Sequence, residues 1–178
     1  MEPWREQAVR KDRPWPGFGR GQLRHLAKLL QIARELTGDL YQLGASDIQA
    51  KVRTLVELQE FEVHSSEVLA YIARYGYGES RLGRHEDTYL INLQDHNILQ
   101  CLRNEKDERG FSALMLYVLT HELLHVIRFV KFITPFHQSE NDKIREEQRV
   151  HALTQKLLSK VPVRGMAGVL EKYRHLGM

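Results

Sequence analysis

Cysteine is almost missing from this chain: Cys101 is the only one in 178 residues. That excludes an intrachain disulfide framework and any metal site built from several thiolates of one chain. A lone thiol also suits a reducing compartment. Proline is scarce as well, with five residues, three of them among the first sixteen. The N-terminus "MEPWREQAVRKDRPWPGFG" lacks an apolar h-region, so no secretory signal is expected, and Glu2, Glu6 and Asp12 argue against a mitochondrial transit peptide. The expected location is the cytoplasm. There is no Gly-rich phosphate loop, no serine or cysteine nucleophile context, no internal repeat and no low-complexity segment. Cys101 reads as a small packed residue.

What is present is ordinary for a globular protein: 42% hydrophobic and 28% charged residues, in a length that suits one sizeable core. The net charge of +3 is carried by the N-terminal end, where residues 1–34 hold eight Lys/Arg against three acids. Residues 1–20, broken by Pro3, Pro14, Pro16, Gly17 and Gly19, read as a basic irregular arm, and 21–178 as a single domain. Trp4, Trp15 and Phe18 interleave with the charges, a pattern able to touch nucleic acid. No nucleic-acid motif accompanies them, so a solvated arm whose aromatics pack on the body is the preferred reading.

Leu23, Leu26, Leu29, Leu30, Ala33 and Leu36 recur at helical spacing and end near Gly38. Ser46 or Asp47 can cap a second helix carrying Ile48, Val52, Leu55, Val56 and Leu58. A third is expected over Glu67–Tyr75, with a weakly signalled strand as the alternative in 71–82. Tyr89, Ile91 and Leu93 alternate with Leu90, Asn92 and Gln94, the best strand pattern in the chain. "RNEKDERG" is a charged loop. Phe111 to about Ile133 is a long helix, apolar on nearly every face. It is long enough to cross a bilayer, but His121, Glu122, His125, Arg128 and Lys131 would be costly there, so a buried core helix is expected and no membrane partner. Ser139 and Asp142 start a last major helix that runs to about Ser159, and Pro162 follows.

Within the apolar helix stands "HELLH". His121 and His125 are four residues apart, on one face and one turn apart. Two imidazoles so placed can reach one zinc ion at about 2.0–2.1 Å. Glu122 projects beside the pair, where it can touch a water without occupying a coordination site. This is the HExxH arrangement, with the glutamate as general base. The bland alternative is a buried histidine pair satisfied by carbonyls.

A catalytic zinc takes three protein ligands and leaves one position open. Six residues past His125 stands Lys131, and no glycine follows the motif, which excludes the metzincin pattern. The third ligand is then sought on the next helix, "REEQRVHALTQKLL", with Glu140, Glu146 and Glu147 as candidates and His137 behind them. Periodicity does not separate Glu146 from Glu147. The pattern resembles that of gluzincins, which commonly place a polar residue four after the liganding Glu to orient a zinc histidine; here that is His151 after Glu147 and Val150 after Glu146, so the resemblance favours Glu147 with Glu146 as the alternative. Glu147 is therefore chosen.

"HELLH" followed by "EEQRVHALTQKLLSKVP" resembles the compact gluzincin metallopeptidases, the minigluzincins, and especially the ImmA/IrrE type. That type pairs HExxH with a later E-x-x-x-N-x-F-A…LL-x-P helix. The resemblance covers about Thr88–Pro162; His151 stands where that type usually has Asn. It implies a zincin-like α+β fold, mostly helical: N-terminal helices, a small sheet or hairpin, a central HExxH helix and a following glutamate helix. It implies Zn2+ held by His121, His125 and Glu147, with His151 in support. The activity implied is hydrolysis of peptide bonds by a zinc-activated water, with Glu122 taking the proton and returning it to the leaving amine. The partner would be a peptide or protein substrate. An edge strand carrying Tyr89, Ile91 and Leu93 can pair with an extended substrate, unless it is a core strand. His96, His151, Arg149, Tyr89 and Tyr173 are the candidate oxyanion donors. Two alternatives stand beside this: a regulatory zinc-binding domain acting on a protein partner, and a hydrolase of non-peptide amides.

Overall fold

The computed structural model describes residues 14–44, 47–48, 50–65, 67–76, 87–103 and 110–174. The fold is α+β and mostly helical, with five α-helices and one three-stranded sheet among the described residues. The chain divides into two compact units, Met1–Ala27 with Gln49–Lys106 and Lys28–Ile48 with Asp107–Met178, where the sequence suggests one domain over 21–178. Helix α1 (Arg20–Tyr41) contributes its first turns to one unit and the rest to the other.

The first unit holds the sheet. Strand β1 (Ala50–Arg53) pairs parallel to β3 (Asp87–Leu93), which pairs antiparallel to β2 (Ala70–Gly76), in the order β1-β3-β2. Two expected helices are thus replaced. In the 48–58 segment, Ile48, Ala50 and Val52 are buried and Lys51 is exposed. That period of two fits a strand as well as Ile48 and Val52 fit a helix, and pairing with β3 decides. Thr54 then opens a single 3₁₀ turn, its amide bonded to the Glu57 carboxylate at 2.9 Å. The 67–75 helix is strand β2, where Tyr71, Ile72 and Tyr75 suit a pleated surface. After β3 the chain turns directly into helix α2 (Asp95–Arg103), which places Cys101 on a helix. The strand alternative over 71–82 holds as far as Gly76, within β2; its residues 77–82, Ser46 and the arm up to residue 13 lie outside the described residues.

Asp95 ties the unit together. Its carboxylate accepts the Phe18 amide and the Leu55 amide, both at 3.0 Å, and Phe18 is buried. The end of the expected arm is therefore anchored. Burial pushes Asp95 up to about 6, against those two hydrogen bonds.

The second unit is built on helix α3 (Gly110–Val130). It is long and apolar enough to cross a membrane, and most of it is buried inside the protein. Helix α4 (Glu140–Leu158) starts where expected, with the Ser139 hydroxyl accepting the Asp142 amide. A short helix α5 (Met166–Lys172), not foreseen, follows from Gly165 at φ 87°. Gln155 of α4 donates to the Leu170 carbonyl of α5 at 2.9 Å. Helix α1 runs past Gly38 to Tyr41 and is ended by Gln42 at φ 55°, with the Leu43 amide folding back to donate to the Gly38 carbonyl at 2.9 Å. A Cβ at Gly38 would stand 2.6 Å from the Leu43 oxygen, so glycine there permits the close approach of this terminating turn.

Candidate metal centre

Helix α3 has alanine, leucine, valine and methionine on nearly all faces, so it goes to the centre of its unit and takes its polar groups with it. His121 and His125 point to the same side, their Nε2 atoms 3.2 Å apart. Helix α4 brings Glu147 onto both: Oε2 lies 3.3 Å from His121 Nε2 and Oε1 3.1 Å from His125 Nε2. Two donors each about 2.0–2.1 Å from one ion at a tetrahedral angle are about 3.3 Å apart. The Nε2–Nε2 separation and the approach of one carboxylate oxygen to each imidazole are near that spacing. Two imidazoles and one carboxylate are a donor set that can hold a metal ion of the zinc kind.

The neighbouring glutamate is spoken for. Glu146 is buried and accepts from Arg128 Nε at 2.5 Å and Nη2 at 2.8 Å. Arg128 also reaches Tyr41 Oη at 3.4 Å. This forked pair links α3 to α4. Adjacent helical residues lie about 100° apart around the axis, so turning Glu146 to Arg128 turns Glu147 toward the histidines. Of the remaining candidates, Glu140 is exposed and paired with Lys143, and His137 is exposed against the Phe136 ring. Arg128 was missed as a site-building residue. Its signal was a full charge in the most apolar helix, three residues after His125.

The electrostatics are uneven. Burial pulls His121 down to about 4, despite its bond to Glu147. Burial acts the same way on His125, but the Glu147 bond and the charges of Glu122, Glu147 and Glu146 outweigh it and raise His125. Burial works to raise Glu147, yet the two imidazoles hold it well below the usual carboxylate range. Glu122 lies beside this group, with the His125 and Glu147 charges acting on it, and makes no hydrogen bond among the described residues. Burial pushes it up to about 7, close to where a general base works best at neutral pH. His121 Nδ1 is buried without a partner.

His151 joins the cluster differently from expectation. One of its ring nitrogens lies within 4.8 Å of donor atoms of His121 and Glu147, and its ring centroid is 4.6 Å from that of His121. It makes no hydrogen bond to His121 or His125. Its Nδ1 is instead 2.7 Å from Tyr117 Oη, because Tyr117, one turn before His121 on α3, stands in its way. Tyr117 stacks on Tyr173 at 4.9 Å, is itself buried, and has its ionisation pushed well above the usual phenol range by burial, with Tyr173 and Glu147 adding to it. Tyr117 was read only as an apolar residue; its place four residues before His121 was the available clue.

Tyr89, Ile91 and Leu93 do not lie on an edge strand. Tyr89 to Asn92 pair with β1 on one side and β2 on the other, and Leu93 pairs with Ala70. All three side chains are buried. Their main chain is committed within the sheet, so the substrate-pairing role is withdrawn: the alternation reports a core strand. Among the other oxyanion candidates, Tyr89 is buried in that sheet, His96 Nε2 sits 3.0 Å from the His64 carbonyl, and Arg149 is exposed on α4. Compared with known proteins, the chain matches no family model, no curated protein and no solved structure.

Proposed function

We propose that this chain is a zinc-dependent peptidase of the gluzincin kind, with a zincin-like arrangement in its second unit. The observation that supports the reading is the convergence of two imidazoles and one carboxylate: His121 Nε2 and His125 Nε2 are 3.2 Å apart, Glu147 Oε2 lies 3.3 Å from the first and Glu147 Oε1 3.1 Å from the second. The two imidazoles and the Glu147 carboxylate meet through His121 Nε2, His125 Nε2 and both carboxylate oxygens, the atoms that would hold a cation. When bound, zinc supplies a Lewis acid that polarises a carbonyl and acidifies a water.

The chain's own residues do the rest. His121, His125 and Glu147 hold the ion. Glu122, unpaired and near neutral in pKa, takes a proton at its carboxylate and delivers it to the leaving amine. The surrounding apolar helix keeps the local dielectric low and so strengthens each of these interactions. The substrate is a peptide or protein, and the cytoplasm is the compartment that fits a single reduced thiol.

The test is elemental analysis of untagged protein. Wild type should carry one zinc per chain and Glu147→Ala far less, whereas zinc unaffected by Glu147→Ala would overturn the ligand set. A second reading has one observation in its favour. The His151 nitrogen within 4.8 Å could close the site as a fourth protein ligand and leave a non-catalytic, regulatory zinc domain.

A further inference from the structure

We infer that His151 is a hydrogen-bond donor to the oxygen of the reacting carbonyl, and that Tyr117 is the positioning residue that fixes it in that role. The inference rests on the zinc-peptidase reading above and decides between an open and a closed site.

The argument is one of proton placement. Tyr117 Oη is in a buried residue and has His151 Nδ1, 2.7 Å away, as its only hydrogen-bond partner among the described residues. A tyrosine hydroxyl has one proton to place, and a buried one left without an acceptor is destabilising. Tyr117 therefore donates to Nδ1. A neutral imidazole that accepts at Nδ1 carries its proton on Nε2. That proton leaves Nε2 with no lone pair for a metal. The same nitrogen has no hydrogen bond among the described residues; its ring lies 4.6 Å from that of His121, and one ring nitrogen is within 4.8 Å of donor atoms of His121 and Glu147. The inferred donor, Nε2–H, points to that side, where negative charge grows as a carbonyl is attacked. His151 keeps its proton throughout. Tyr173, stacked 4.9 Å from the Tyr117 ring, limits how far the hydroxyl can swing away. Glu147 and His151, four residues apart on α4, thus present a ligand and a donor from one helix face.

The full chain is titrated with zinc, and the zinc-loaded protein is then titrated with acetohydroxamate, a small oxygen donor that needs no substrate knowledge. In His151→Ala, zinc affinity should stay within about threefold of wild type, while acetohydroxamate binding should weaken about tenfold or more, the usual worth of a hydrogen bond to a charged acceptor. His151→Gln, whose amide N–H reaches a similar place, should recover part of that loss. Tyr117→Phe should weaken acetohydroxamate severalfold without weakening zinc. Zinc affinity falling about a hundredfold in His151→Ala would make His151 a fourth ligand and overturn the inference. Unchanged acetohydroxamate binding in His151→Ala would overturn it too, leaving the zinc-peptidase reading intact. No zinc binding in wild type would overturn the metal reading, and the donor role with it.

Discussion

The two units of this molecule bury charge in opposite ways. In the first, each buried carboxylate is closed off: Asp95 by the amides of Phe18 and Leu55, Glu62 by the Gln59 amide and the Arg53 guanidinium. Arg53 is in turn bonded to Asn92 of the central strand. In the second, Glu146 with Arg128 is closed in the same fashion. Next to it, however, two imidazoles crowd one half-exposed carboxylate, Glu122 has no partner among the described residues, and His121 Nδ1 is orphaned. Orphaned donors occur in both units, at Asn92 Nδ2 and His96 Nδ1 in the first as well as His121 Nδ1 in the second, so the difference lies in the carboxylates. A carboxylate without a closed set of partners in a helical core is a candidate binding group, the basis of the proposal above.

That contrast can be broken at several points. The largest effect is expected at Glu122→Gln, which keeps the shape and removes the base. Cleavage of any peptide found in a substrate screen should fall by about 10²–10⁴-fold, with zinc content unchanged; loss of zinc in this variant would make Glu122 a ligand. Next is Glu146→Ala. It strands Arg128 in the core and should lower stability by roughly 3–5 kcal/mol in denaturant unfolding. If instead it removes zinc while leaving stability intact, the assignment of the two adjacent glutamates is reversed.

Asp95→Ala in the first unit leaves two amides without an acceptor. It should cost about 2 kcal/mol, with no change in zinc content.

A further comparison separates the units by pH. His121 holds its proton only below about 4 when folded, against 6.5 unfolded. The unfolded chain therefore binds more protons between those values, and metal-free protein loses this contribution as pH falls from 6.5 to 4. Asp95 is raised from 3.8 to about 6, so the folded state binds more protons there, and its contribution is lost as pH rises through the same window. Melting temperatures of His121→Asn and Asp95→Asn, compared with wild type from pH 4 to 6.5, should deviate with opposite slopes. Parallel profiles would show that the two groups are buried alike.

Much of this was legible along the chain. The four-residue spacing of His121 and His125, the apolar length of α3, the Ser139 start of α4 and the alternation of β3 are local patterns, and local geometry suffices to read them. The 48–58 segment carries a strand in place of the expected helix, and in 67–75 the weaker strand alternative wins, since short apolar runs carry both periods and only a partner strand chooses. Tyr89, Ile91 and Leu93 show the same limit. Alternation reveals a strand but not whether its edges are covered, which depends on β1 and β2, distant in sequence.

The sequence by itself therefore determined which residues share a helix face, and with that the pairing of His121 with His125 and the place of Glu122 beside them. Only the tertiary structure decided which of two adjacent glutamates faces the histidines, because Arg128 on another helix takes Glu146. Only it turned His151 toward Tyr117 and away from the ring nitrogens it was expected to orient. The physical reason is range. Helical periodicity acts over four residues, whereas these choices are made by hydrogen bonds between groups 18 and 34 residues apart, whose meeting depends on how α3 and α4 pack.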